Sequence, residues 1–202
     1  MKKLFILFLG LILLPVSAQS ADFKEGENYT VISQTASETP QVTEYFSFYC
    51  GHCRAFEPIM KALKPELLEG VTFKKNHVNF LGGEMGVALT NAYAAAEILQ
   101  VEDIFTDLVF NHLQIQRKKI TGEEDILDIF EQAGVNRQEA KSALQSFTVV
   151  GRASQMKRNT EKSAIRGVPA VIVNGKYEVN RGSVKDTKEF IALVNYLTQK
   201  KD

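Results

Sequence analysis

Cys50 and Cys53 are the only cysteines in 202 residues, and two residues separate them. Paired thiols at this spacing can exchange with an external disulfide: a thiolate attacks a disulfide sulfur, a mixed disulfide forms, and a second thiolate resolves it. As a staple the pair would be poor, because chain-entropy reasoning gives so short a loop roughly 2 kcal/mol, against about 4.7 kcal/mol for a 100-residue loop. A closed zinc site is another use of such a pair, but it needs four ligands, and only these two cysteines and three histidines are available. No metal or organic cofactor is expected. The redox group would be the Cys50–Cys53 disulfide itself.

The flanking residues decide which sulfur reacts. Val42 to Tyr49 (V-T-E-Y-F-S-F-Y) has strand composition, and Arg54-Ala55-Phe56-Glu57 is compatible with a helix, which places Cys50 at a helix start. Unpaired N–H groups and the positive end of the helix dipole favour a thiolate at that position. Cys50 is the expected reactive sulfur, and Cys53, one turn further in, its shielded partner. His52 falls in the first turn. A histidine in a surface turn is ordinarily just solvated; between these cysteines it is a candidate to stabilise the thiolate and hence the reduced protein, which makes a stronger oxidant. Gly51 should act the other way, since glycine orders less readily at a helix start.

The remaining elements must hold this turn in place. A short edge strand over Thr30 to Gln34 precedes the strand at Val42. The helix from Cys50 runs to about Leu63, and Val71 to Phe80 alternates as a further strand. Leu81-Gly82-Gly83 breaks it, and helices follow: Glu84 to Leu99, Asp103 to Gln116, one opened by a Thr121/Glu124 capping box and stopped at Gly134, and one capped by Asn136. A longer helix over Val149 to Ile165 leads to Gly167-Val168-Pro169. Asn174-Gly175 then joins two strands in a hairpin, and an amphipathic helix over Asp186 to Gln199 closes the chain. The order is that of an α/β thioredoxin fold with an inserted all-helical domain: residues 22–81 and 149–202 form the thioredoxin-like part and 82–148 the insertion.

Alternation puts Glu44 on a face with Val42, Phe46 and Phe48, and Lys75 on one with Val71, Phe73 and His77. From the pattern alone both read as partly solvated charges near strand edges. Pro169 alone reads as a trans proline at a strand start, since only about 5 to 6% of X-Pro bonds are cis. His77, His112 and the run Arg117-Lys118-Lys119 read as structural or solvated.

E-Y-F-S-F-Y-C-G-H-C at Glu44 to Cys53, H-V-N-F at His77 to Phe80, R-G-V-P-A at Arg166 to Ala170 and V-N-G-K-Y at Val173 to Tyr177 together resemble the DsbA family of thiol:disulfide oxidoreductases. The likeness covers essentially the whole mature chain. One departure is the pair between the cysteines: Gly51-His52 stands where the family has Pro-His, and resembles the pair of eukaryotic protein disulfide isomerase. A milder oxidant than the Pro-His members is expected. The resemblance implies that Val168-Pro169 is a cis-proline loop facing the cysteines and offering backbone hydrogen bonds to peptides of any sequence. It also implies that Glu44 and Lys75 form a buried pair beneath the cysteines, able to relay protons for Cys53.

Lys2 and Lys3, the apolar run Leu4 to Leu14, then Pro15 and small residues are laid out as a secretory signal over residues 1–20, cut after residue 18, 20 or 21. Discounting those two lysines leaves 22 basic against 24 acidic residues, a formal charge of −2. That balance argues against nucleic acid or an anionic membrane as partner. The expected protein is a periplasmic monomer whose substrates are unfolded exported proteins, reoxidised by a DsbB-like quinone-linked membrane oxidase as the resemblance implies. Two other readings stand beside it: an isomerase or reductase kept reduced, and a peptide-binding chaperone with an incidental disulfide. Periplasmic isomerases of this kind usually carry an N-terminal dimerisation domain, for which about twenty mature residues before the central strand leave no room.

Overall fold

The computed structural model describes residues 22–200; the expected signal segment lies outside them. Five strands form one mixed sheet in the order β1-β5-β4-β2-β3. The aromatic strand β2 (Gln41–Phe46) pairs parallel with β3 (Thr72–His77) and antiparallel with β4 (Ala170–Val173). A parallel neighbour requires a crossover, and α1 (Gly51–Leu63) supplies it. β4 turns into β5 (Tyr177–Val179) through Asn174, Gly175 and Lys176, one residue more than the expected hairpin; Asn174 and Gly175, with φ values of 54° and 63°, form the centre of a turn closed by the Lys176 amide donating to the Val173 carbonyl. The Asn174 side chain also accepts from the Gln41 amide and donates to the carbonyls of Leu197 and Thr198, so the same residue ties β2 to the last helix. The edge strand is Tyr29–Val31 (β1), against β5.

One face of the sheet is packed by α1 and α7 (Thr187–Gln199). Val42, Val171, Val173 and Tyr177 meet Phe56, Met60, Leu63, Leu193 and Leu197 there. A second core is helical: α2 (Gly83–Ile98), α3 (Glu102–Phe110), α4 (Glu123–Gln132), α5 (Arg137–Leu144) and α6 (Phe147–Lys162). Ala92, Ala94, Ala95 and Ala96 are fully buried, as befits a helix that is apolar all round and runs through the middle of a layer. This core reaches the turn that carries the two cysteines, since Phe46, Phe48 and Cys53 belong to it. The architecture is an α/β thioredoxin fold carrying inserted helices.

Three local expectations are corrected. The Thr121/Glu124 box does not form: extended Gly122 caps α4, which shifts the register by one, so Thr121 donates its N–H and Oγ1 to Asp125 while Glu124 pairs with Arg137. α6 starts at Phe147, not Val149, because Ser146 accepts the Val149 amide, and it ends before Ala164, whose φ is 50°. The helix expected to Gln116 stops at Phe110 and widens into a turn over Asn111–Ile115, in which the Gln116 amide donates to the Asn111 carbonyl five residues back. His112 lies within this turn, partly exposed, and Arg117 to Lys119 are exposed beyond it.

Candidate redox site

Cys50 is the N-cap of α1. Its extended backbone (φ −102°, ψ 112°) lets its sulfur accept the Cys53 amide at 3.3 Å, one of the orphan donors of a helix start. The Sγ of Cys50 also faces the Val168 carbonyl at 3.3 Å, and the Val168–Pro169 peptide is cis. Cys50 is partly exposed, whereas Cys53, one turn on, is fully buried. Burial above all, then the hydrogen bond with Cys50, pushes the Cys53 thiol well above the ordinary range. His52 is exposed, and among the described residues its ring makes no hydrogen bond, to Cys50 or elsewhere.

Beneath Cys53 lies a charged cluster. Glu44 and Lys75 sit opposite each other across the parallel β2–β3 pair, with Lys75 Nζ 3.2 Å from Glu44 Oε2. Lys75 also donates to Glu57 of α1 and lies 4.4 Å from the Phe46 ring centroid. Both Glu44 oxygens are buried without an aligned hydrogen bond among the described residues. Burial outweighs the attraction of Lys75 and pushes the Glu44 carboxyl from 4.5 up to about 7. A cavity of about 430 Å³, lined by Glu57, Lys75, Met60, Phe73 and Asp103, opens this cluster toward solvent.

Two residues in this site escape sequence reading. Glu57 carries a signal in hindsight, because it stands four residues after Cys53 and so shares its face of α1. Gln114 carries none: it reaches from the wide turn after α3 and donates to the carbonyls of Phe48 at 2.7 Å and Cys50 at 3.1 Å. His77 is structural, as expected. Burial, then Lys75, lowers it to about 3, so it is neutral; its Nε2 accepts the Phe48 amide, and Nδ1–H therefore faces the Thr90 hydroxyl, which donates to the Gly86 carbonyl. Among the described residues no group of three or more His, Cys, Asp or Glu could hold a metal.

A reachable sulfur capping a helix, a buried one a turn behind it, and a thioredoxin fold around both define a thiol:disulfide oxidoreductase. Residues 41–192 match the model of the DSBA-like thioredoxin domain. The chain is 37% identical over 210 residues to the thiol:disulfide interchange protein DsbA of Escherichia coli strain K12, and 38% identical to that of Pectobacterium carotovorum, covering 100% of both chains in each case. The crystal structure of DsbA from Proteus mirabilis superposes with a TM-score of 0.80 at 33% identity, over 89% of this chain and 98% of that one. A complex of that protein with a non-covalently bound peptide, PWATCDS, gives a TM-score of 0.83 at 32% identity, over 89% and 100% of the two chains. The chain belongs to the DsbA-like thioredoxin domain family.

Proposed function

We propose that this protein works in the oxidising direction, in the periplasm, donating its Cys50–Cys53 disulfide to newly exported proteins. The single observation that carries this is the contrast between the two sulfurs. A substrate thiolate can reach Cys50 but not Cys53. Attack on Cys50 Sγ breaks the Cys50–Cys53 bond and forms a mixed disulfide; the substrate's second thiolate then attacks its own sulfur in that bond and releases Cys50. The substrate loses two electrons and two protons, and the enzyme gains both as a dithiol.

Cys53, expelled into an apolar core, is stable there only as a thiol. The Glu44 carboxyl, near pH 7 in its titration, is suited to supply the proton, and Lys75 and Glu57 connect it to the solvent-facing cavity. The Val168 carbonyl beside Cys50 would align the substrate backbone, as the peptide complex of the Proteus relative makes reasonable. His52 stands exposed where it can meet the incoming thiolate. No cofactor beyond the disulfide is invoked. Reoxidation is assigned to a DsbB-like quinone-linked membrane oxidase, and the protein is taken as a monomer, with residues 82–148 as a helical domain inserted into the thioredoxin part.

The test uses oxidised enzyme and an unfolded protein bearing one thiol, so that nothing resolves the mixed disulfide. After acid quenching and digestion, mass spectrometry should find the adduct on Cys50 alone. An adduct on Cys53, or none, overturns the reading.

A further inference from the structure

The redox turn is secured group by group. The Phe48 amide goes to His77 Nε2, the Tyr49 amide to Ser47 Oγ, and the Cys50 amide to the Ser47 carbonyl. The two carbonyls that flank Tyr49, those of Phe48 and Cys50, are both gripped by one side-chain amide, Gln114 Nε2. This donor comes from outside the sheet, 64 residues beyond Cys50. The chain widens locally to deliver it, since Gln114 lies inside the five-residue turn Asn111–Ile115, a geometry less favourable than the α-helix it interrupts and one that recurs at functional sites.

We infer that Gln114 is a positioning residue for the redox pair, one that favours the reduced enzyme by holding Cys50 in its N-cap geometry. The physical reason lies in which redox state needs the help. In the disulfide form the bond to Cys53 itself restrains Cys50. In the dithiol form nothing covalent does, and the Cys53 amide reaches Cys50 Sγ only while the Cys50 backbone keeps its extended conformation. Gln114 fixes the peptide group that follows Cys50 and the one that precedes Tyr49, bracketing that conformation, so its loss weakens the reduced state more than the oxidised one. A less stable dithiol is a weaker oxidant. Losing about one hydrogen bond's worth of preference between the two states changes the equilibrium about tenfold.

This rests on Cys50–Cys53 being the redox pair. The test is equilibration of the purified protein with glutathione buffers, beside Gln114→Met, which keeps the length of the side chain and loses the donor. Gln114→Glu, which puts an acceptor against the two carbonyls, is a second variant should the first fail to fold. Gln116→Met is the control: Gln116 stands two residues on, and among the described residues its side chain bonds only to Asn111, within the same segment. The inference expects both Gln114 variants to shift the constant about tenfold toward the disulfide, about 30 mV for a two-electron couple, with the melting point falling further in the reduced form than in the oxidised form. Gln116→Met should match the wild type. An unchanged constant, with equal losses of stability in both redox forms, would make Gln114 a plain tether and overturn the inference. Failure of the wild-type protein to exchange with glutathione would instead sink the redox pair itself.

Discussion

Glu44→Gln separates the cost of a buried carboxylate from the worth of its partner. In the folded protein Glu44 titrates at about 7, against an ordinary 4.5. Between those values the native state keeps a proton that the unfolded chain has released, so stability falls as pH rises through this window and levels off above it. At about 1.36 kcal/mol per pH unit the gap amounts to about 3 kcal/mol. Glutamine has nearly the same shape and cannot ionise, so the variant escapes this loss. Its amide must still settle beside Lys75, which adds an offset independent of pH. Urea unfolding of the oxidised proteins, in which neither thiol titrates, should show the variant gaining about 3 kcal/mol over wild type between pH 4 and pH 8. Parallel pH profiles would refute the reasoning, because they would mean that Lys75, 3.2 Å away, fully offsets the burial.

Gly51 occupies the first helical position, where proline is tolerated, and the extended Cys50 before it suits a residue preceding proline. A β-carbon there would meet only Gln114 Oε1, at 3.7 Å. Gly51→Pro should therefore stabilise the protein by about 0.4–1 kcal/mol in chemical unfolding and move the glutathione equilibrium toward a stronger oxidant; an equal or weaker oxidant would overturn the expectation that Gly51 weakens this one. Gly82 has a φ of 82°, and a β-carbon on it would lie 2.2 Å from the Tyr49 ring, next to Cys50. Gly82→Ala should cost at least about 1–2 kcal/mol and change the tyrosine emission, which no tryptophan masks; unaltered stability would show that Tyr49 can move aside freely.

Local chemistry made much of this protein legible in its sequence. Strand composition running into Cys-Gly-His-Cys placed Cys50 at a helix start, because aromatic alternation and helix-compatible residues each favour one backbone geometry. Asn174-Gly175 marked its hairpin because few residues accept two positive φ values in succession. Asn136 marked its cap, and its side chain does accept the amides of Gln138 and Glu139. Period-two alternation put Glu44 and Lys75 among apolar residues, and only the parallel register of β2 with β3 sets them opposite each other. Where a polar side chain chooses among near neighbours, pattern was weaker: one residue of register at Gly122 moved the cap from Glu124 to Asp125.

What the sequence by itself determined is the candidate redox pair and the order of the elements, since both follow from residues within a few positions of one another. Tertiary structure alone decided what surrounds the pair. Glu57 joins Glu44 and Lys75 only because α1 packs across the sheet with that face inward. Gln114 meets the carbonyls of Phe48 and Cys50 only because a widened turn aims it across 64 residues of chain. Such meetings depend on how whole helices settle in a close-packed core, and no local period in the chain encodes that.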